Sequence, residues 1–548
     1  MAEKKLTLQN PNEVIIRMYN QGFGDCFLIV FPRLKPGGAQ PDLTNPVYVV
    51  IDSGVFFRTP GEKKRMQAVA RSLKRATGGT IDLLVATHEH YDHLSGFELA
   101  SKEWQEIAVR RIWLAWTEDI THPNIKPFTE EKVALAQQAE NARNLVESHQ
   151  AEDPALAAGL LRAIRLAEFI GDDLPVEKLA ADDDSIFEEV KKPSKIPQSV
   201  LFDFANDPGK RFKGGANPTE RDFCEPGQVR TVPETAVDAY ILGPPTDGAL
   251  LRMDFLESEV YPEEITSSEP ESEQNASIWA RISQAAAADQ AARSSLGAAL
   301  ARHAAGQIGE KDGLDAAAPF RTSLSIPYDQ ARQDAFFQQH YFEVEPKRMI
   351  ELDWLHDVSR LALQLDNFTN NTSLALAFRL PDPDDRVLLF VGDAQVGNWL
   401  SWHKIRPEEW RRPGGGVVDY RPTATELLAK TRVYKVGHHG SHNATLKAKG
   451  LELMPDGLIA FVPTSIKIPQ EDRKNPWNIP LPILMARLKE KTQGQMLLAH
   501  DKHDYTSSTF SDQVETATEK LSAMKRKDKQ GKSQEVEPQV ALWRQIRI

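Results

Sequence analysis

The 548-residue sequence is poor in cysteine, with Cys26 and Cys224 as its only two. Two cysteines cannot build a disulfide framework or a cysteine-rich zinc knuckle. Long apolar runs are also missing, since a run such as VLLFV at 387–391 is far too short to span a bilayer. The first residues, MAEKKLTLQN, lack the apolar segment of a secretory signal. The composition therefore predicts a soluble protein of the cytoplasm that has no membrane partner.

Basic residues are not in excess, because 66 Lys and Arg stand against 78 Asp and Glu and give a net charge of −12. A protein that coats nucleic acid usually presents a broad basic face, so the acidity counts against that role. It leaves open a local basic groove, or an anionic substrate held by metal ions. Neither a Walker A pattern nor a G-x-S-x-G pattern occurs in the sequence. These absences exclude a P-loop and a serine nucleophile elbow.

Histidine is scarce, at 14 residues, yet three lie within six positions in the segment LLVATHEHYDHLSGF. LLVATH predicts a buried strand, and the polar cluster begins where that strand ends, a usual place for an active site. In extended backbone His88 and His90 point the same way, while Asp92 and His93 can reach a second point nearby. Imidazole and carboxylate together suit zinc, manganese or iron. A solvated loop is the alternative reading of the cluster.

Apolar runs predict strands in two separate parts of the chain. In the first part they are VIIRMYNQGFGDCFLIVF, PVYVVIDSGV, IDLLVATH and VRRIWLAW. In the second part they are TSLALAFRL, RVLLFVGDAQ, RVYKVGHHGS and GLIAFVP, with QVALWRQIRI as a closing strand.

Helical patterns dominate the sequence between these two parts. Residues 125–235 and 246–360 are predicted to be mostly helical, and the alanine-rich stretch 276–306 is the strongest case. A strand at 236–245 interrupts them. We also expect residues 182–233 to be rich in loops and residues 516–537 to form a solvated helix or mobile segment.

Three motifs, in order, resemble those of the metallo-β-lactamase superfamily. THEHYDH matches its T-H-x-H-x-D-H signature, FVGDAQ resembles its strand-then-Asp motif, and YKVGHHGSHNAT resembles its final histidine motif in the HHGS form. That form, with NQGFGDCFLIVF, YVVIDSG, YILGPP and NNTSLALAF, resembles one branch. The branch comprises the soluble hydrolase domain of the competence DNA-uptake protein ComEC and its stand-alone relatives. The matching segments span residues 14–116, 236–245 and 366–500.

The resemblance implies an α/β fold, in which two mixed sheets face each other with helices outside. In this αββα sandwich the metals lie in a cleft at one end. Residues 1–124 would form the first half and residues 366–548 the second half. Residues 125–365 would be a large, mostly helical insertion, interrupted by the core strand near 236–245.

The resemblance also implies two divalent metal ions, zinc or manganese. Asp393 would bridge the two ions, and one of His438 and His439 would complete the ligands, the other being an outer group or proton donor. Asp92, Asp393 and His439 are expected to take part in catalysis. The full set of expected metal residues is His88, His90, Asp92, His93, Asp393, His438 and His439.

Most of the superfamily has one more histidine shortly before the bridging aspartate. Here that place holds TNNTS, so Asn370 or Asn371 stands where a histidine is expected, as in the ComEC-like branch. One metal is then short of a nitrogen ligand, which would weaken that site or favour a harder ion such as manganese.

Three further residues are possible cleft or supporting groups. Asp25, in GFGDCF, is either at the cleft floor or a turn aspartate. Asp52, in IDSG, is expected to brace the metal loop through hydrogen bonds. Ser441 is expected to orient the histidine loop.

The predicted activity is hydrolysis by a metal-bound hydroxide in a dinuclear site. The ComEC-like motifs favour a phosphodiesterase or nuclease, with nucleic acid or a small phosphodiester as substrate. One alternative is a hydrolase of another ester, an amide or a thioester, because a fold does not fix its substrate. Another is a partner-activated effector whose helical insertion recognises a protein or other macromolecule.

Overall fold

The structure, a computed structural model, describes most of the chain outside the predicted insertion. The described residues are 3–133, 195–261, 328–342, 366–465, 479–499 and 506–548, apart from gaps at 36, 38–39, 58, 60, 131, 215–217, 521–523, 528–532 and 537–538. The helix predicted at 276–306 lies outside these residues. The limits that the sequence gives for the insertion, 125 and 365, stay a prediction.

The chain divides into two compact units. The first comprises residues 1–128, 169–263 and 366–548, and the second comprises residues 129–168 and 264–365. The elements described below belong to the first unit, apart from three short segments of the second. Those segments are the helices α6 and α7 and a π-helical turn at Gln338–Phe342.

The elements are numbered in chain order. The strands are β1 (Ile15–Tyr19), β2 (Phe27–Leu34), β3 (Pro41–Ile51), β4 (Thr80–Ile81), β5 (Leu83–Val85), β6 (Ala108–Val109), β7 (Arg111–Ala115), β8 (Glu220–Cys224), β9 (Val229–Thr231), β10 (Asp238–Ile241), β11 (Leu376–Arg379), β12 (Val387–Phe390), β13 (Thr431–Lys435), β14 (Ile459–Val462), β15 (Met496–Leu498), β16 (Glu515–Lys520), β17 (Met524–Lys527), β18 (Ser533–Val536) and β19 (Gln539–Arg547). The helices are α1 (Glu62–Thr77), α2 (Tyr91–Leu99), α3 (Ser101–Trp104), α4 (Lys195–Asn206), α5 (Gly248–Leu251), α6 (Tyr328–Gln333), α7 (Ala335–Phe337), α8 (Val396–Trp402), α9 (Ala424–Ala429), α10 (Pro482–Thr492) and α11 (Ser508–Ser511).

Most of the strands form two mixed sheets. The first has the order β16-β19-β1-β2-β3-β5-β7-β8, antiparallel as far as β3 and parallel from β3 to β8. The second has the order β15-β14-β13-β12-β11-β10-β9, parallel as far as β12 and antiparallel beyond it. Each sheet therefore has one parallel half, and the strands of the two parallel halves lead into the predicted site.

The two sheets share an apolar core. Successive strand residues point to opposite faces, so each strand places one set of residues in this core and the other set beneath the helices. In β1, Ile16 lies in the core between the sheets, whereas Ile15 lies in the outer core beneath the helices. Between the sheets, Phe27 meets Phe390 and Phe461 edge-on, with ring centroids 5.4 and 5.9 Å apart. Helices α1, α2 and α4 cover the first sheet, and α8, α9 and α10 cover the second. The predicted αββα sandwich is confirmed.

The predicted solvated helix or mobile segment at 516–537 is wrong for its described part. Strands β16, β17 and β18 lie there, and β16 pairs with the closing strand β19. Pairing of this kind depends on backbone hydrogen bonds rather than on apolar side chains. An edge strand rich in charge and threonine, such as ETATEK, therefore gives no apolar alternation in the sequence.

The loop-rich prediction for 182–233 is also wrong for its described part. Helix α4 packs there on α2, with the rings of Phe204 and Phe97 5.0 Å apart. Strands β8 and β9 then form the outer edges of the first and second sheets. Across the described ranges, no helix is both long enough and apolar enough to cross a membrane.

Candidate metal centre

Most of the predicted site residues follow the carboxyl ends of strands from both sheets. In the first sheet, Asp52 directly follows β3, and His88 and His90 lie in the loop after β5. In the second sheet, Asp393 lies in the loop after β12, and His438 follows β13. The strands of each pair are parallel neighbours, so their carboxyl ends meet at one edge of the sheet.

The loop after β5 rests directly on the loops after β1 and β3. The Asp25 backbone N–H donates to the Asp92 carbonyl at 3.0 Å, and the Ser53 N–H donates to the His93 carbonyl at 2.8 Å. A Cβ atom on Gly54 would lie 2.3 Å from the Asp92 carbonyl oxygen, so only glycine allows this approach. The GFGDCF and IDSG segments thus fix the backbone of the histidine cluster.

Four buried side chains form the tightest set of candidate ligands, and their ligand atoms lie within 4.8 Å of one another. His93 Nε2 is 3.1 Å from Asp393 Oδ2, and His439 Nε2 is 3.9 Å from the same oxygen. Asp25 Oδ2 is 3.9 Å from His93 Nδ1. The set, called the inner group below, consists of Asp25, His93, Asp393 and His439.

The other predicted ligands lie against the inner group. Asp92 Oδ2 is 2.7 Å from His439 Nε2, although the two residues are 347 positions apart. His88 Nε2 is 3.0 Å from His90 Nδ1, and the ring centroid of His88 is 4.2 Å from that of His93. The structure therefore brings together the predicted residues from both halves of the chain.

Several of these imidazoles have an outer partner on one ring nitrogen. Such a contact fixes the ring and leaves the other nitrogen available to a metal. Asp52 also accepts from the Thr87 backbone N–H at 2.8 Å, so it holds both the ring of His93 and the start of the loop. The outer contacts are Thr87 Oγ1 to His88 Nδ1 (3.0 Å), Asp52 Oδ2 to His93 Nδ1 (2.8 Å), Ser441 Oγ to His438 Nδ1 (2.8 Å) and the Pro463 carbonyl to His439 Nδ1 (3.1 Å).

The adjacent His438 and His439 occupy different positions. Both have a left-handed backbone, with φ of 42° and 55°, and their ring centroids are 6.2 Å apart. His439 belongs to the inner group. The backbone N–H of His438 instead donates to Asp393 Oδ1 at 3.0 Å, while Ser441 contacts its ring. His439 is therefore the better candidate ligand.

Asn370 and Asn371 also differ. The side-chain oxygen of Asn371 accepts from the backbone N–H groups of Gln395 and Asn398, at 3.2 and 3.1 Å. Asn370 donates from Nδ2 to Asp366 at 3.0 Å. Its buried Oδ1 accepts no hydrogen bond from any residue in the described part of the chain. Asn371 therefore holds the backbone, and Asn370 has the free acceptor.

Lys435, the last residue of β13, is a charged residue of the site that sequence reasoning did not single out. Its buried ammonium lies 2.5 Å from Asp25 Oδ2 and 3.1 Å from Asp393 Oδ1. It also donates to the Gly392 carbonyl at 2.6 Å. The available signal was a lysine inside the apolar strand pattern RVYKV. Lys435 therefore places one positive charge against two carboxylates of the inner group.

Asp366 is a second unpredicted residue, one helical turn before Asn370. Its buried carboxylate has Oδ1 3.6 Å from His90 Nε2. Burial raises the pKa of Asp366 well above its usual range, and the charges of Asp92 and Asp393 add to the shift. The only sequence signal was an aspartate four residues before the TNNTS motif's first asparagine.

Charge pairing within the site sets the protonation of its groups. Burial opposes the charged form of His93, but the carboxylates around it, first Asp393, raise its pKa well above the usual range. Burial acts likewise on His439, and its hydrogen bond with Asp92 raises its pKa. Burial would raise the pKa of Asp92, but the charge of His93 and the contact with His439 lower it to about 2.

The remaining histidines have the opposite shift. Burial lowers the pKa of His90 to about 4 and that of His438 to about 3. Burial also lowers the pKa of His88 well below its usual range. These three imidazoles are neutral at pH 7 and can offer a lone pair.

The donor atoms fit a divalent cation. Asp25 Oδ1, Asp366 Oδ1 and Asn370 Oδ1 are buried and accept no hydrogen bond from the residues that the structure describes. Buried oxygens without a partner are costly, and a bound cation would satisfy some of them. Imidazole and carboxylate donors together suit zinc and manganese. The residues that would hold the ions are Asp92, the His88–His90 pair and the inner group.

A comparison with protein families agrees with this geometry. Residues 47–117 match the family model described as Metallo-beta-lactamase superfamily. The chain carries a metallo-beta-lactamase superfamily domain. The match runs from β3 past the end of β7, and so includes the whole histidine cluster of the first sheet. None of the curated proteins compared with the chain matches it.

The superfamily domain implies divalent metal binding, and the inner group supplies a candidate site for it. Together they indicate a metal-dependent hydrolase. The family match does not reach Asp393, His438 or His439, whose place in the site rests on the structure alone.

We expect metal binding to this metallo-β-lactamase domain to release protons. The raised pKa values of His93 and His439 keep both imidazoles protonated at pH 6.5 in chelator-treated protein, and a cation needs their neutral form. Calorimetric titration in buffers of different ionisation enthalpy should show a net release of protons on metal binding, to which these two imidazoles contribute. His438→Gln should leave that release unchanged, because His438 is already neutral.

The same shifts give the sign of the pH effect on stability. A raised pKa in the folded state stabilises chelator-treated protein fully below the unfolded pKa of about 6.5, and this contribution is lost as the pH rises through the raised value. Bound metal should replace the protons on these imidazoles. The free energy of unfolding of metal-loaded protein should then fall less as the pH rises. Binding heats that do not depend on the buffer would contradict the proton release.

Proposed function

We propose that the protein is a phosphodiesterase or nuclease that uses two divalent cations, zinc or manganese. The observation that carries the proposal is the convergence of the inner group, Asp92 and the His88–His90 pair at the strand ends of two facing sheets. Cations bound there would activate water and stabilise charge on a phosphoryl oxygen.

The two oxygens of Asp393 have separate partners. Oδ1 accepts from Lys435 and from the His438 backbone N–H, at 3.1 and 3.0 Å. Oδ2 faces His93 Nε2 and His439 Nε2. Oδ2 would therefore be the oxygen available to bound cations, and Lys435 holds the carboxylate through the other oxygen.

His438 is the neighbour best placed to act on the substrate rather than on a cation. It lies beside His439 but outside the inner group, and Ser441 holds its Nδ1. Because burial lowers its pKa to about 3, the ring is neutral at pH 7. We propose that His438 donates a hydrogen bond to the scissile group or its leaving oxygen.

The oxygen character of the site supports a phosphodiester substrate. Asp25, Asp92 and Asp393 contribute carboxylates, and Asn370 stands at the place of a superfamily histidine. Oxygen donors favour harder ions such as manganese, a usual ion for phosphate chemistry. The HHGS and NNTS motifs, which resemble the ComEC-like branch, support the same substrate class.

We extend the proposal to the predicted helical insertion at 125–365. Its segments outside the two sheets would contribute to the recognition of nucleic acid or of a protein partner. We place the protein in the cytoplasm.

An activity panel tests the substrate class. We expect purified protein to hydrolyse bis-p-nitrophenyl phosphate, single-stranded DNA, duplex DNA or RNA when manganese or zinc is supplied. A chelator should abolish the activity, and the same metals should restore it, because the site residues act through bound cations. His88→Ala should lower activity under all metal conditions, whereas Asp385→Asn, at the far end of β12, should not. If metal-loaded protein cleaves a β-lactam or thioester and leaves every phosphodiester intact, the substrate class is wrong.

A further inference from the structure

Asp366 belongs to the described helical residues 366–370 and lies beside His90, one of the predicted metal residues. Its side chain is only 3% exposed. Oδ2 accepts from Asn370 Nδ2 at 3.0 Å, and Oδ1 faces His90 Nε2 at 3.6 Å. Within the described chain, neither Oδ1 nor that nitrogen has a hydrogen-bond partner. The two atoms are therefore complementary groups that need only a small shift to form a hydrogen bond.

His90 has two ring nitrogens, and they face different neighbours. Nδ1 is 3.0 Å from His88 Nε2, and His88 Nδ1 is in contact with Thr87 Oγ1. If a cation binds between His88 and His90, the facing nitrogens of both rings must offer lone pairs. A neutral imidazole carries one proton, so the proton of His90 must then lie on Nε2, where Asp366 faces it.

We propose that Asp366 is a positioning residue that accepts the Nε2–H of His90 and directs Nδ1 toward the cation shared with His88. The inference rests on the metal centre of the proposed function and does not depend on its substrate. A carboxylate in this place fixes the tautomer and makes the imidazole a stronger ligand. It would offset the loss of the nitrogen ligand at Asn370.

Asp366 meets His90 on the side of the ring away from His88. A cation between His88 Nε2 and His90 Nδ1 lies on the other side of the imidazole, so the geometry favours support of His90 over direct ligation by Asp366. The aspartate also holds Asn370, which ties both supporting groups to one helical turn.

The test measures metal affinity and the tautomer of His90, both independent of activity. In the NMR spectrum of zinc-loaded protein labelled with ¹⁵N at histidine, His90 should carry its proton on Nε2. The signal of His90 is assigned as the one that is missing from the His90→Gln variant. Asp366→Ala should lose this signature and bind one of two zinc ions about 10–100-fold more weakly in competition with a chelator. Asp366→Asn keeps the shape and one acceptor, so its loss should be smaller.

Asp82→Asn is the matched control. Asp82 is a buried carboxylate at the other end of β5, where it pairs with Arg33 at 2.7 Å, so its loss should leave zinc affinity unchanged. If Asp366→Ala and Asp366→Asn both bind zinc like the native protein, with His90 protonated on Nε2, the inference is overturned while the metal centre stands. Native protein that binds no metal would overturn the inference and the proposed function together.

Discussion

Replacement of Asp393 by Ala is expected to remove at least one metal ion per chain and to lower hydrolytic activity by about a thousandfold or more. Asp393 Oδ2 is the oxygen that faces both His93 and His439, so in the proposed site it would be the anion that the two ions share. Without it, two cations would face each other across the site with no negative charge between them.

Metal analysis by mass spectrometry and turnover of a phosphodiester measure the two effects separately. Asp393→Asn keeps the shape of the side chain and should show the same losses. It therefore replaces the alanine variant in this test if that variant folds poorly. Asp385→Ala is the control, because Asp385 lies just before β12 and pairs with the half-buried Lys430, away from the metal residues. An Asp393→Ala protein that keeps both ions and full activity would refute the bridging role.

Replacement of Lys435 by Met is expected to lower the free energy of unfolding of chelator-treated protein by about 3–5 kcal/mol. The ammonium is buried and lies between the carboxylates of Asp25 and Asp393. Both carboxylates raise the pKa of Lys435, against the effect of burial, so the group is charged at neutral pH. Methionine would remove the buried ammonium between these two carboxylates, and only the imidazoles of His93 and His439 would remain to balance their charge.

Denaturant unfolding with and without metal measures this effect. Added zinc or manganese should restore part of the loss, because the ions supply positive charge to the same carboxylates. Asp25→Asn in the Lys435→Met background should also restore part of it, since one of the two charges is then gone. Lys430→Met, which removes a half-buried lysine paired with Asp385, should cost no more than about 1 kcal/mol. A Lys435→Met protein as stable as native protein in chelator would contradict the charge-balancing role.

The contiguous parts of the site could be read from the sequence. His88, His90, Asp92 and His93 follow one buried strand, and a strand end fixes where such residues point. The αββα class followed from the resemblance of the ordered motifs to the metallo-β-lactamase superfamily, and the apolar runs on both sides of the middle segment are compatible with two such sheets. Asp25 was left as either a turn residue or a cleft residue, and the structure places it in the inner group.

The residues that depend on long-range contacts could not be predicted in this way. Lys435 lies on a strand whose pattern gives no sign that two carboxylates face it, one of them 410 positions earlier (435 − 25). Asp366 meets His90 only after both halves of the chain have folded. The edge strands β8, β9 and β16 were missed for a different reason. Backbone pairing forms them, and few of their side chains are buried, so the alternation that marks a strand is weak.

The position of β1 in the first sheet has a consequence for synthesis on the ribosome. Strand β1 lies between β2 and β19, and all five of its residues are buried. The Nε–H of Arg17, in β1, donates a hydrogen bond to Oε1 of Gln545, which lies 528 residues further along the chain. At about 5–20 residues per second, that partner emerges roughly half a minute to two minutes after β1. Throughout this time one edge of an apolar strand stays unpaired, and such an edge can pair with other chains. We therefore expect β1 of a nascent chain to be protected until β19 is synthesised. The protection would be supplied by a chaperone or by neighbouring segments of the same chain.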